Sequence, residues 1–390
     1  MKVNIARLSR RQAIYPHCHR KRAARSRCPS HLLSDRDMPP PNDGNEYKPF
    51  VELIRLEKIN DVTYRSIALP FSPGGDLPGT YDRAYGGHVY AQAAWAACHT
   101  VAEGMLLHNV TGNFILPGQC RVPFVYKVHK IRDGRSYSTR IVNVTQSEGQ
   151  GICFTCICSF KKPETSPLEI QDEIDLWSTY AAALRGKKPS DFEECPGMDI
   201  PWFWKLRKET GHNDKFPGLE SMKADMEPYN KDRHPFDKRG IIFYRALGDM
   251  PTDPNLHLVA HLYASDRNSL YIVANQMDLG DLWKNMSSLV HTTVFHSPME
   301  ELWFKPSEDE KSPMDDKSTS GRWFAKVDRG DRAGAGRAMF HSRISNASGV
   351  HVATLMQDGL IRFTRKAEAT QQELSDVRSR QSKWKPRSKL

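Results

Sequence analysis

Several groups of residues in this 390-residue chain have types and spacings that could do chemistry. Cys153 and Cys156 have zinc-like spacing, but no second Cys or His pair follows at a matching distance. Their neighbours, Gly151-Ile-Cys-Phe-Thr-Cys-Ile-Cys-Ser-Phe160, read as a buried strand, so core thiols and no metal site are expected. His88, His291 and His296 are not spaced as metal ligands either. Gly86 and Gly87 precede an alanine-rich run that should be helical. A helix N-terminus with bare glycines offers free N–H groups and partial positive charge to developing negative charge. A tight turn is the plainer use of the same pair. Ala264-Ser-Asp266 reads as the opening of a second helix, where an Asp usually serves as N-cap.

The elements that must position these residues follow from periodicity. Residues 49–68 begin with a short helix and a strand, and a Pro- and Gly-rich loop covers 70–80. The helical run 85–101 follows. The apolar period then shifts from about 3.6 to about 2, giving strands at 122–130, 136–145 and 151–160 joined by hairpin signals. One helix and an antiparallel meander suggest a sheet wrapped around a single helix, the hotdog arrangement. Residues 161–238 break the pattern with Pro, Trp and charge clusters and one amphipathic piece over 168–184. The order then recurs, with a strand at 240–247, a helix opened by Asp266, and strands around 288–295, 336–345 and 351–363. The reading is α+β: a double hotdog, two antiparallel sheets each wrapped around a long helix. Its parts are a disordered basic extension (1–46), a first hotdog domain (47–163), a linker (164–238), a second hotdog domain (239–365) with an acidic insertion near 300–320, and a flexible tail (366–390).

The net charge of +10 belongs to the ends. Residues 1–37 carry +8 and residues 366–390 carry +4, leaving 38–365 at −2. No Lys/Arg stripe marks the body, which argues against nucleic-acid binding. No stretch approaches the roughly 20 apolar residues of a spanning helix, and the mean hydropathy is −0.61. The chain ends in Ser388-Lys389-Leu390, a peroxisomal address read by an import receptor on a flexible tail. The basic N-terminal stretch has the composition of a transit peptide. An unstructured extension upstream of a start at Met38 is the preferred alternative. Peroxisomal localisation and reduced cysteines are therefore expected.

Taken together, the segments resemble the type II acyl-CoA thioesterases, whose single chain is a tandem of two hotdog units. The first half carries the likeness in Tyr85-Gly-Gly-His-Val-Tyr-Ala-Gln-Ala93, Phe114-Ile-Leu-Pro-Gly118, Ile131-Arg-Asp-Gly-Arg-Ser-Tyr-Ser138 and Ser159-Phe160. The second half carries it in Leu262-Tyr-Ala-Ser-Asp266, Ser288-Leu-Val-His291, Val294-Phe-His296 and Gln357-Asp-Gly-Leu-Ile-Arg362. The likeness spans roughly residues 48–365. It implies hydrolysis of a fatty acyl-CoA to free acid and CoA without a cofactor. The attacking water would be held by Asp266, Ser288 and Gln357 in the positions of the family's Asp, Thr or Ser, and Gln. The family usually has Asp where this chain has Val290, which could alter the support of Ser288. The charged insertion after Glu300 is also longer than usual.

On chemical grounds an ionised Asp266 could act as base, while a hydroxyl and an amide orient the water, since each both donates and accepts. The N–H of Gly87 or His88 would polarise the carbonyl, making Gly86, Gly87 and His88 the substrate-binding residues of a site straddling both halves. Expected partners are the acyl-CoA substrate, the import receptor and further copies of the chain as a homo-oligomer. Two alternatives stand. A hotdog hydratase or dehydratase has a signature like Asp-x-Asn-Pro-Leu-His, but Tyr271 occupies the His position of Asp266-Arg-Asn-Ser-Leu-Tyr271. A non-catalytic acyl-CoA-binding protein would lack the water-holding residues.

Overall fold

The computed structural model describes residues 45–75, 83–146, 150–172, 175–211, 215–279, 283–305 and 321–363, together with Ser375 and Ser379. The basic extension up to residue 44, most of the acidic insertion, and the tail with Ser388-Lys389-Leu390 lie outside the described residues.

The first half starts with α1 (Phe50–Ile54), β1 (Leu56–Asn60) and β2 (Thr63–Ser66). Next come α2 (Gly86–Cys98), β3 (Leu106–Phe114), β4 (Val125–Asp133), β5 (Tyr137–Thr145) and β6 (Phe154–Lys161). Strand β5 alternates buried and half-buried residues, as a strand with one face on a core does. Helix α2 is buried along nearly its whole length, and its Ala91, Ala93, Ala94, Ala96 and Ala97 let neighbouring elements approach closely. Cys153, Cys156 and Cys158 lie buried in the same core.

Short helices α3 (Leu176–Thr179) and α4 (Ala181–Leu184), strand β7 (Glu193–Glu194), helix α5 (Pro201–Thr210), strand β8 (Leu219–Lys223) and helix α6 (Glu227–Asn230) follow. The expected amphipathic piece over 168–184 is helical only in its second part. Leu168 and Ile170 are exposed. The second half contains β9 (Gly240–Ala246), α7 (Pro254–Ser265), α8 (Tyr271–Gln276), β10 (Trp283–Phe295), β11 (Phe324–Gly334), β12 (Arg337–Ser345) and β13 (His351–Phe363).

The thirteen strands among the described residues form one sheet, in the order β1-β2-β4-β5-β6-β3-β10-β13-β12-β11-β9-β8-β7. The two hotdog sheets are thus fused edge to edge through β3 and β10, which pair antiparallel from Asn109 opposite Val294 to Asn113 opposite Val290. Helices α2 and α7 pack against each other. The start of α2 lies at the end of α7, since Tyr85 Oη donates to the Tyr263 carbonyl at 2.6 Å. At the other end Asn255 bonds the backbone of Met105 and Leu107, both at 2.9 Å.

One sequence expectation is overturned. Asp266 does not open a helix. It caps the C-terminus of α7, while Asp253 caps the N-terminus by accepting from the Asn255 N–H, with Pro254 as the first helical residue. The helix is nearly all buried, so its sequence lacks the polar stripe that would have marked its extent.

Candidate active site

Two helix ends meet at the centre of the fused sheet. Bare glycines let them approach: a methyl group on Gly87 would stand 2.6 Å from the Tyr263 carbonyl oxygen, and one on Gly86 would stand 2.6 Å from Asp266 Oδ2. Asp266 thus leaves the negative end of α7 but faces the positive end of α2.

The other carboxylate oxygen, Oδ1, is the hub of a polar cluster. Gln357 Nε2 donates to it at 2.7 Å and to Ser288 Oγ at 2.8 Å, which uses both amide hydrogens. Ser288 Oγ in turn donates to Asp266 Oδ1 at 3.3 Å. Ser269 Oγ donates to Gln357 Oε1 at 2.8 Å and also lies 3.2 Å from Asp266 Oδ1. Ser269 and Gln357 are buried, whereas Gly86, Asp266 and Ser288 keep partial exposure. The buried pair underlies the accessible trio.

A backbone irregularity aims Ser288 into this cluster. Strand β10 pairs His291 with Gln357 and Ser288 with Gly359, and the register shifts between Ser288 and Val290. Ser288 and His291 are an odd number of residues apart and would face opposite sides of a regular strand. The extra residue, Leu289, restores the parity, so Ser288 turns to the helix side with His291 and Gln357. Val290, opposite Asp358 and Asn113, points to the other face. Its side chain therefore faces away from the Asp266 cluster.

Burial pushes the Asp266 carboxyl above the ordinary carboxylate range, opposed by the hydrogen bonds of Gln357, Ser269 and Ser288 and by the charge of Lys326. Lys326, fully buried, donates to the Arg267 carbonyl at 2.8 Å and pairs with Asp328 at 3.4 Å. The residues after Asp266 are anchored to the connecting segment. Arg267 donates to the Cys195 and Gly197 carbonyls at 2.7 and 3.2 Å, and Asn268, at φ +54°, donates to the Pro196 carbonyl at 2.9 Å. Before Asp266, Ser265 Oγ donates to the Leu262 carbonyl and therefore accepts from His291 Nε2 at 2.7 Å. His291 is buried and neutral, its pKa lowered to about 3 by desolvation.

Of the residues expected from sequence, Asp266, Ser288, Gln357 and Gly86 come together, and Gly87 lies one residue further into α2. His88 does not join them. Its side chain is fully buried, with the Phe71 and Phe124 rings 6.3 and 6.2 Å away, and desolvation lowers its pKa to about 4. Its backbone N–H already donates to the Tyr85 carbonyl at 3.1 Å, which removes it as a free donor to a substrate. The expectation for His88 is corrected accordingly, and the first-turn donors left are those of Gly86 and Gly87. Ser269 was not singled out from the sequence. Its position one turn after Asp266 was the available signal.

Residues 76–161 match the family described as the acyl-CoA thioesterase N-terminal domain. The chain is 25% identical to acyl-CoA thioesterase 2 of Haemophilus influenzae over 326 residues, covering 80% of this chain and 97% of that one. It is 26% identical to mouse acyl-coenzyme A thioesterase 8 over 294 residues, covering 73% and 82%. Among solved structures, the acyl-CoA thioesterase II TesB2 from Mycobacterium marinum superposes with a TM-score of 0.56 at 22% identity, covering 81% and 97%. A hot dog fold protein of unknown function from Alicyclobacillus acidocaldarius gives the same TM-score at 14% identity, covering 81% and 98%. The fold is the double hotdog, and the resemblance to the type II acyl-CoA thioesterases read from the sequence is borne out.

Proposed function

We propose that this protein is an acyl-CoA thioesterase that hydrolyses a fatty acyl-CoA to free acid and CoA by direct attack of water. The observation that carries the mechanism is the Gln357 amide, which donates to Asp266 Oδ1 at 2.7 Å and to Ser288 Oγ at 2.8 Å. With Oδ1 engaged, Oδ2 beside Gly86 is the oxygen free to accept a proton from water. The water attacks the thioester carbonyl, its proton passes to Asp266, and the developing oxyanion is met by the N–H groups of Gly86 and Gly87 at the positive end of α2. Collapse of the tetrahedral species breaks the C–S bond, and the proton on Asp266 returns to the leaving thiolate. The second half supplies the base and the first half the oxyanion donors. Thiol release from acyl-CoAs of graded length tests this. The wild type should turn over, and Asp266→Ala and Gln357→Ala should lose most turnover while remaining folded. Unchanged rates in the folded variants would refute the assignment.

The terminal Ser388-Lys389-Leu390 supports two further proposals: a peroxisomal import receptor as partner and the peroxisome as location. A fluorescent protein fused ahead of the intact terminus should collect in peroxisomes and leave them when these three residues are removed. Assembly into a homo-oligomer is likewise proposed. Light scattering should then give a multiple of the chain mass.

A further inference from the structure

We infer that Ser269 is a positioning residue of the hydrolytic site, holding the Gln357 amide in the one orientation that serves Asp266 and Ser288. The inference rests on the thioesterase reading for its chemistry but on geometry for its origin. Gln357 is completely buried, so each of its polar atoms needs a partner within the protein. Its two N–H groups go to Asp266 Oδ1 and Ser288 Oγ. Its Oε1 receives the Ser269 hydroxyl at 2.8 Å, and Ser269 itself is only 3% exposed.

A hydroxyl has one hydrogen to give. The Ser269 oxygen lies 2.8 Å from Gln357 Oε1, 3.1 Å from the Asp266 carbonyl oxygen and 3.2 Å from Asp266 Oδ1, so Gln357 is its nearest acceptor. Rotating the amide by half a turn would set its oxygen against the Asp266 carboxylate, which only accepts, and would force the Ser269 hydrogen from Oε1 to the more distant Asp266 carbonyl. The Asp266 carboxylate thus selects the orientation, and the Ser269 hydroxyl holds it by giving the buried Oε1 its partner. The local chain fixes Ser269 in turn, because Asn268 before it, at positive φ, is tied to the Pro196 carbonyl. Ser269, buried beneath the accessible residues of the site, acts through Gln357.

The test is Ser269→Ala in the full chain, read by turnover, pH profile and the 15N-labelled side-chain amide of Gln357, with Gln357→Leu identifying that amide signal. Turnover should fall by about tenfold with KM changed by less than about twofold, because the substrate contacts stay in place. The acid limb of kcat/KM should move to higher pH, since a Gln357 amide no longer held by Ser269 gives a weaker hydrogen bond to the Asp266 carboxylate, the bond that does most to hold that carboxyl down. The Gln357 amide hydrogens should exchange faster with solvent than in the wild type.

Wild-type turnover, or an unchanged amide signal even with reduced turnover, would overturn the inference and leave Ser269 as ordinary packing. Should the wild type release no thiol from any acyl-CoA, the functional reading fails separately. The amide measurement then still decides whether Ser269 orients Gln357.

Discussion

The two halves of the sheet build the same frame and fill it with opposite chemistry. In β3 the register shifts after Leu107, which stands opposite Phe160, and Val110 stands opposite Cys158. In β10 it shifts after Ser288, which stands opposite Gly359, and His291 stands opposite Gln357. His99 caps α2 as Asp266 caps α7. The counterparts of Asp266, Ser288 and Gln357 are therefore His99, Leu107 and Cys158. Leu107 and Cys158 are sealed in the core, and His99 packs on Trp95 and Tyr64 with ring centroids 4.4 and 5.5 Å away. The helix starts differ in the opposite sense. Helix α2 begins with bare glycines facing Asp266, whereas the start of α7 is occupied by its Asp253 cap and by Asn255 bonded to the backbone near β3. The repeated fold supplies two possible sites. Side-chain identity opens one and plugs the other.

Substitutions can break or sharpen this asymmetry. The largest effect belongs to Asp266→Asn, which keeps the shape but removes the proposed base. Turnover should fall by about 10²- to 10⁴-fold in a thiol-release assay, with an unchanged melting curve. Gly86→Ala comes next. Its methyl would push against Oδ2, and a displacement on the order of 1 Å can cost about 10²-fold in kcat. Ser288→Ala should cost about tenfold through loss of its hydrogen bonds to Asp266 and Gln357. It should also shift the pH profile. Burial raises the Asp266 pKa and the Ser288 bond lowers it, so kcat/KM falls as pH drops through a value above the usual carboxylate range, and the variant should lose activity at still higher pH. Leu107→Ala, at the counterpart of Ser288, should leave the kcat of folded protein unchanged. Its cost should appear in denaturant unfolding, at about 2–5 kcal/mol.

Much of this frame could be read from the sequence, and what escaped has identifiable causes. The head of α2 was legible because glycines adjoin an alanine-rich run, and β5, β12 and β13 because they alternate. Strand β3 was missed. Its Asn109, Thr111 and Asn113 face away from the core along the seam with β10, and such polarity reads as loop. The sequence reading puts Asp266 at the wrong end of its helix because α7 is buried on nearly every side and has no charged stripe to mark its extent, although Asp253-Pro254 carries the start signal. Asp266, Ser288 and Gln357 were found through family likeness. Their convergence across 22 to 91 residues depends on a bulge that no local pattern shows. His88 was misplaced because its neighbour Gly87 is at the helix end, whereas one residue later the N–H is already bonded and the side chain turns inward.

Single-turnover hydrolysis in H₂¹⁸O, with enzyme in excess over acyl-CoA, tests the central claim most directly. Direct attack by water on the thioester predicts that the fatty acid released in the first turnover carries one ¹⁸O and that Asp266 stays unlabelled. An unlabelled first-turnover acid with ¹⁸O in the Asp266 carboxylate would mean that the carboxylate itself attacks, and would contradict the account.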